Sequence, residues 1–364
     1  IYNLNYNEYK SSIENGNVIY LTISPTLLCN LNCDYCFQRD RLKGKKNTLN
    51  KDEWQYIIHW INKAVNNNLN IKNIIIRIFG GEPLICFDDI KENIGNLKQK
   101  ILDKVKITMM IYTNGILLSE KIAGEIAKMG INQIQISIDE ERMMDSKFIN
   151  NFFNACKYLA KNNINNYVRI NYDKRIDKYI NRIRYIETEL KKYNSTVSYL
   201  APIFEPNKEC SLNQESILLS ETDLYKEYKI SVFKKLGGNS LIDFPTRKML
   251  SCYNESRYSI NVGPNLEVYQ CHTLIGSEQS IGNLADIKSF EELIVLREKI
   301  NEPKIDNQCF DCKYYPICIG ECSMRRKYKD KCIIDDEYIS ILFNIIIDEL
   351  QNRTIKNNKQ KSDF

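Results

Sequence analysis

The chain has 364 residues, 43% hydrophobic and 27% charged, with a net charge of +5 carried by basic residues that are spread out rather than gathered in a block. That size suits a large enzyme core or two domains of unequal size, and the scattered charge gives no support to nucleic-acid binding. No segment reaches the roughly 18 apolar residues of a membrane span, and Ile1 to Tyr6 lacks the basic and apolar regions of a signal peptide, so no membrane association and a cytoplasmic location are expected.

From residue 17 onward, apolar strand-like runs alternate with amphipathic helical stretches. The first expected strand, Val18 to Ser24, leads into Cys29-x3-Cys33-x2-Cys36. A helix is expected from about Asp52 to Leu69, with Trp54, Ile57, Ile58, Ile61 and Val65 on one face and Asn50 and Glu53 spaced as an N-cap and its N3 partner. The second strand, Asn73 to Phe79, runs into Gly80-Gly81-Glu82-Pro83; the third, Lys106 to Tyr112, into Thr113-Asn114-Gly115. A helix capped by Ser119 and stopped by Gly130 should bury Ile122, Ile126 and Met129. The fourth strand, Gln133 to Ile138, ends at Ser137 and Asp139, the latter also a natural N-cap for a following helix. Tyr167 to Asn171 and Thr196 to Ile203 complete six strand–helix units. Such alternation predicts a mainly parallel sheet with helices outside; six units are too few for an eight-unit barrel, so the periodicity allows an open sheet or a partial barrel.

Arg169 and Asn171 alternate with Val168 and Ile170 and, on an exposed strand, would face solvent. His59 sits mid-helix and reads as structural. Cys86 and Cys156 occur singly in apolar contexts and read as buried free thiols. Near Leu241 to Cys252 the pattern turns Cys-rich with short elements. The expected organisation is an N-terminal segment (1–16), an α/β domain (17–240), a small Cys-rich domain (241–340), and a C-terminal helix with a polar tail (341–364).

The chain has thirteen cysteines, and their grouping into short ligand-like spacings at Cys29–Cys36 and Cys309–Cys322 points to metal in a reducing compartment rather than to disulfides. Cys29, Cys33 and Cys36 supply three thiolates and no obvious fourth, whereas structural zinc takes four protein ligands. Three favour an iron–sulfur cluster with one iron open.

This trio, with Tyr35 before its last cysteine, resembles the signature of the radical S-adenosylmethionine (radical SAM) enzymes, and Gly80-Gly81-Glu82-Pro83 resembles that family's glycine-rich motif. The resemblance implies a partial (β/α)6 barrel whose [4Fe-4S] cluster chelates S-adenosylmethionine and generates a 5′-deoxyadenosyl radical, with flavodoxin or ferredoxin as reductant. It further implies cofactor contacts at Tyr35, Phe37, Gly80, Gly81, Glu82, Pro83, Asn114, Ser137, Asp139, Arg169 and Asn171, at strand C-terminal ends.

Downstream stand Cys252, Cys271, Cys309, Cys312, Cys318, Cys322 and Cys332. The array resembles the SPASM extension, a small domain with a β-hairpin and short helices that carries two auxiliary iron–sulfur clusters of the [4Fe-4S] type, and Ile260 to Cys271 resembles its hairpin. By that resemblance Cys309, Cys312, Cys318 and Cys332 close one cluster, and Cys252, Cys271 and Cys322 hold the other. Two departures stand out. The usual turn glycine is Leu266, after Asn265, and no cysteine follows within Tyr253 to Tyr258, so the first auxiliary cluster has an open iron unless Cys210 or His272 completes it. Two zinc sites are the plainer alternative.

Enzymes with this domain pair mostly modify peptides, by cross-linking ribosomally made precursors or by converting a Ser or Cys of a sulfatase to formylglycine. In the latter an Asp follows the hairpin cysteine as base; here that position is His272, whose imidazole could serve. The preferred expectation is oxidative cross-linking of a precursor peptide through thioether or carbon–carbon bonds. Sixteen residues before the first strand are too few for a leader-binding domain, so a separate leader-binding protein or the catalytic domain itself is expected to hold the leader. A non-catalytic electron-transfer protein is the remaining alternative.

Overall fold

The computed structural model describes residues 16–38, 47–67, 70–101, 104–173, 178–193, 195–203, 252–299 and 307–318, with isolated residues elsewhere. Cys210, Cys322, Cys332 and the expected boundary near Leu241 lie outside them, as do most of residues 341–364.

Six strands, β1 (Val18–Ile23), β2 (Asn73–Ile78), β3 (Lys106–Thr113), β4 (Gln133–Asp139), β5 (Asn165–Tyr172) and β6 (Thr196–Pro202), pair in parallel and in chain order. Helices α1 (Lys51–Asn67), α2 (Phe87–Ile101), α3 (Glu120–Lys128), α4 (Glu140–Met144), α5 (Ser146–Lys161) and α6 (Ile180–Leu190) fill the crossovers that parallel pairing requires. The expected capping box at α1 is formed: the Glu53 backbone N–H donates to Asn50 Oδ1 and the Asn50 N–H to Glu53 Oε2, each at 2.8 Å. At α3 the Ile122 N–H donates to Ser119 Oγ, and Gly130 takes φ +69° after the helix end. Ala123 and Ile126 are the buried residues of α3, whereas Ile122 and Met129 are half-buried, because they flank the stripe that faces the sheet.

Burial along the strands shows which face the helices seal. Ile74, Ile76 and Ile78 have no exposure, while Asn73, Ile75 and Arg77 on the other face of β2 are half-buried. In β5, Val168, Ile170 and Tyr172 are buried and Tyr167, Arg169 and Asn171 half-buried. A sheet covered by helices on both faces would bury both sets. Here one face carries the core, each buried Ile contributing roughly 1.5–3 kcal/mol, and the other lines a polar interior.

The first Cys-rich segment extends this same sheet. Strand β7 (Ser259–Val262) pairs in parallel with β1, and β8 (Glu267–Tyr269) and β9 (Gly282–Asn283) add antiparallel, giving nine strands in the order β6-β5-β4-β3-β2-β1-β7-β8-β9. The expected hairpin is present, and its turn residues Asn265 and Leu266 have φ of +62° and +60°. Helix α7 (Phe290–Lys299) follows, its Phe290 meeting the edge of the Trp60 ring at 4.9 Å while Trp60 Nε1 donates to Ile287 O at 2.6 Å. Two short helices, α8 (Asn307–Asp311) and α9 (Tyr315–Cys318), carry Cys309 and Cys318. Among the described residues no helix is long and apolar enough to cross a membrane.

Candidate functional site

A cavity of about 330 Å³ opens at the C-terminal ends of the parallel strands, walled by the Cys29–Cys36 loop, the ends of β2 to β5, and the turn after β8. The loop is held by its backbone. The Gly81 N–H donates to Thr26 O at 3.0 Å and the Glu82 N–H to Leu28 O at 2.8 Å. Gly80 lies at φ +142°, and a Cβ there would stand 2.3 Å from Thr26 O; one at Gly81 would stand 2.2 Å from Leu28 O. Both glycines border the cavity, but the close approach that forbids a side chain is to the residues that lead into the cysteine loop. On the loop Cys29 is exposed and Cys33 and Cys36 half-buried. Cys29 Sγ accepts from the Leu31 N–H at 3.4 Å. Burial pushes the thiols of Cys29 and Cys33 up, with Arg142 opposing the rise at Cys33.

Glu82, expected as a direct cofactor contact, has a structural tie of its own. It has no exposure and stands behind the cavity wall. Its Oε1 accepts from the Leu84 N–H (3.0 Å) and Thr113 Oγ1 (2.7 Å), and its Oε2 from the Asn114 N–H (2.8 Å), so the carboxylate ties the glycine turn to the end of β3. Burial raises its carboxyl pKa against those hydrogen bonds. Pro83 is likewise buried off the cavity, opening the short helix Pro83–Cys86. Asn114 does reach the cavity and donates to Asn30 Oδ1 at 2.7 Å.

Asp139 acts through its neighbours. Its Oδ1 accepts from the Arg142 N–H at 2.9 Å, the N-cap of α4, while its Oδ2 accepts from Tyr35 Oη at 2.6 Å and Arg142 Nε at 2.8 Å. Tyr35 Oη also receives Arg142 Nη2 at 3.2 Å and Asn171 Nδ2 at 3.4 Å, and Arg169 Nε donates to Asn171 Oδ1 at 2.8 Å. Tyr35, Phe37, Ser137, Arg169 and Asn171 therefore meet at one cavity, and the strand-5 pair faces inward rather than toward solvent. Arg142, which sequence reasoning missed, lines the cavity as well, and its Nη1 is buried with no partner among the described residues. No local signal marked it, because in the five-residue α4 it belongs to the last turn, where a cation is ordinary.

The opposite wall belongs to the turn after β8. His272 borders the cavity, its ring edge-on to Phe79 at 5.1 Å and its Nδ1 2.9 Å from Tyr253 Oη. Burial, and then the charges of Arg169 and Arg77, lower its pKa to about 4, so the imidazole is neutral near pH 7. Phe79 also stacks on Phe37 at 6.5 Å and meets Tyr112 edge-on at 6.0 Å, forming an aromatic floor. Arg41 Nη1 donates to Thr273 O (2.6 Å) and Ile275 O (3.0 Å), and Leu27, Tyr269, Cys271, Leu274 and Ile275 form a small separate core joining this turn to the cysteine loop. Cys271 is buried in it, Cys252 lies beside Tyr253, and Cys309, Cys312 and Cys318 stand on and between α8 and α9. Cys156 is buried against Asn166, Cys86 half-buried, and His59 exposed on α1.

Residues 23–174 match the Radical SAM superfamily. That segment carries the radical SAM match, over less than half of the chain. The chain is 26% identical over 340 residues, 84% of its length and 68% of the relative's, to the radical SAM cyclopropyl synthase TigE of Paramaledivibacter caminithermalis. A probable GTP 3′,8-cyclase of Methanococcus vannielii matches at 35% identity over 119 residues, and the chain spans only 35% of that relative's length. Among solved structures, anSMEcpe with bound AdoMet and Cp18Cys peptide aligns at TM-score 0.68 and 18% identity, covering 94% of this chain and 99% of that one. Streptococcus suis SuiB bound to precursor peptide SuiA aligns at TM-score 0.59 and 15% identity, covering 91% and 79%. At these identities the likeness is one of fold.

The donor set fits the cluster that a radical SAM domain implies. Among the described residues no three Cys, His, Asp or Glu side chains converge as a ready-made ion site. A cubane cluster asks for less, because its thiolates bind different irons and need not meet at one point. One loop presents three cysteines along a cavity wall, and Arg142, bonded to Tyr35 of that loop, adds a cation to the lining.

Proposed function

We propose that the chain is a radical SAM peptide maturase that abstracts hydrogen from a ribosomally synthesised precursor peptide and closes an oxidative cross-link. The observation that carries this reading is that the Cys29–Cys36 loop meets His272 and Thr273 at one cavity, with the neighbouring Cys271 buried in the small core behind them. S-adenosylmethionine on a [4Fe-4S] cluster held by Cys29, Cys33 and Cys36 would supply a 5′-deoxyadenosyl radical there. Ser137, Arg142, Arg169 and Asn171 orient its polar groups, while Phe37, Phe79 and Tyr112 keep water from the reacting C–H. Cys252, Cys271 and Cys322 would hold one auxiliary cluster in a SPASM-type extension, and Cys309, Cys312, Cys318 and Cys332 another. SuiB binds a precursor peptide, which supports a peptide substrate, and the similarity to a cyclopropyl synthase supports a carbon–carbon rather than a thioether bond.

The test is anaerobic co-expression with precursor peptides encoded beside the gene, followed by intact mass and fragmentation, with Cys29→Ala as control. Loss of two hydrogens per modified site, absent in the control, is expected. Unmodified peptides beside an enzyme that still cleaves S-adenosylmethionine would overturn the reading.

One observation favours a second reading, formylglycine formation on a sulfatase: His272, the residue after the hairpin cysteine, borders the cavity. That reading requires turnover of a Cys- or Ser-containing sulfatase peptide and its loss in His272→Phe.

A further inference from the structure

We propose that Asn254 is a positioning residue whose side-chain amide holds the Cys271 sulfur as a thiolate ligand and sets the reduction potential of the auxiliary cluster bound there; this rests on the proposed cluster role of Cys271. Asn254 is 3% exposed, and its Nδ2 donates to Cys271 Sγ at 3.4 Å. The direction of that amide is dictated from behind. Asn261, with no exposure, donates from Nδ2 to Tyr269 O and Gln270 O, each at 3.1 Å, which fixes its own amide orientation. The same Nδ2 lies 3.1 Å from Asn254 Oδ1, its two hydrogens being shared among the three acceptors, so the Asn254 NH2 is turned to the sulfur. On the other side Thr273 Oγ1 lies 3.2 Å from Cys271 Sγ, a second group able to donate to it.

Two buried asparagines are costly unless their amides are used. Helix Tyr253–Glu255 places Asn254, β7 places Asn261, and the end of β8 places Cys271, so three elements converge on one sulfur. The buried free thiol Cys156 also receives an asparagine amide, from Asn166 Nδ2 at 3.1 Å, but Asn166 Oδ1 has no partner among the described residues, so nothing aims that amide from behind. At Cys271 the amide is aimed by Asn261 and joined by Thr273, an arrangement from which a thiolate bound to iron gains. Donors to a cluster sulfur stabilise the reduced, more negative state and so raise the potential. Electron transfer through this cluster then depends on a residue that need touch neither substrate nor S-adenosylmethionine.

The experiment is an anaerobic redox titration, followed by electron paramagnetic resonance and iron analysis, of the full reconstituted chain. A Cys29→Ala, Cys33→Ala, Cys36→Ala background leaves only the auxiliary clusters to be read. Asn254→Leu should shift one cluster to a more negative potential and leave the other unmoved. Asn261 keeps two carbonyl acceptors in that variant, which favours its folding. Thr273→Val, at a half-buried position, should shift the same signal in the same direction by less, and it decides the matter if Asn254→Leu fails to fold. An unchanged potential with full iron content overturns this inference and leaves the cluster reading standing. Absence of any auxiliary cluster in the background protein overturns both.

Discussion

The two walls of the cavity are built by different means. Residues Thr26–Leu28, which lead into the Cys29–Cys36 loop, dock by backbone against backbone, through Gly80 and Gly81, and nothing larger than hydrogen fits between. The Cys271–Ser277 turn docks by side chains, with Leu27 packed on Leu274, Ile275 and Gly276, and Arg41 bound to two carbonyls. A backbone interface tolerates almost no substitution and leaves a motif; a packed interface can be repacked and leaves none. The wall proposed to carry the radical chemistry is therefore the rigid one, and the wall facing it is the one evolution can vary.

The sharpest break of that contrast is Gly81→Ala. A Cβ 2.2 Å from Leu28 O forces the loop off its seat, with an expected cost of at least about 3 kcal/mol and loss of the cluster held by the trio; iron content and urea denaturation check both. Gly276→Ala on the other wall meets only the end of the Leu27 side chain, at 2.7 Å, and strains a φ of +86°, so it should cost about 1–2 kcal/mol and retain iron. Equal losses at the two glycines would remove the distinction.

Glu82→Gln comes next. It keeps the shape but trades one oxygen for an NH2, leaving a buried donor such as the Asn114 N–H without its acceptor, an expected loss of about 1–3 kcal/mol in urea denaturation. S-adenosylmethionine cleavage should persist, because the carboxylate stands behind the wall. Abolished cleavage in a protein of unchanged stability would restore Glu82 as a direct contact.

A smaller effect appears only against pH. At the ends of β4 and β5, burial, then the hydrogen bond and charge of Asp173, raise the Glu140 carboxyl above the ordinary carboxylate range, with Arg175 partly opposing. A carboxyl with a raised folded pKa binds its proton more tightly in the native state. Its stabilising contribution is full below the ordinary carboxylate pKa and is lost as pH rises through the raised value. Stability measured by urea should therefore fall from pH 5 to pH 9 in the wild type and fall less in Glu140→Gln. An identical slope would show that Glu140 does not titrate there.

The smallest expected effect is at the hairpin. Leu266 holds φ +60°, which a glycine would adopt without the roughly 1–2 kcal/mol left-handed cost, yet it is only 8% exposed. Losing its buried side chain costs roughly 1.5–3 kcal/mol, so Leu266→Gly should be net destabilising by about 1 kcal/mol. A gain in stability would mean that the turn, not the core contact, governs this position.

Much of this was written locally. The six strands stand within two residues of their expected bounds because their Ile-rich period-2 runs have one sealed face. The capping box and the Gly130 stop follow from neighbours in sequence. The cysteine trio and Gly80-Gly81 were legible because each motif is a short run whose chemistry or steric demand no other residue type meets. What only the tertiary structure decided is which way side chains point once separate elements meet. Arg169 and Asn171 face the cavity because the sheet is covered on one side only. Glu82 is a buried tie because Thr113 and Asn114 arrive beside it from β3. Arg142, Arg41 and the Asn254–Asn261 pair gain their meaning from partners up to 234 residues away. Local periodicity reports burial along one element; long-range hydrogen bonds depend on how elements are placed against one another, and only packing sets that.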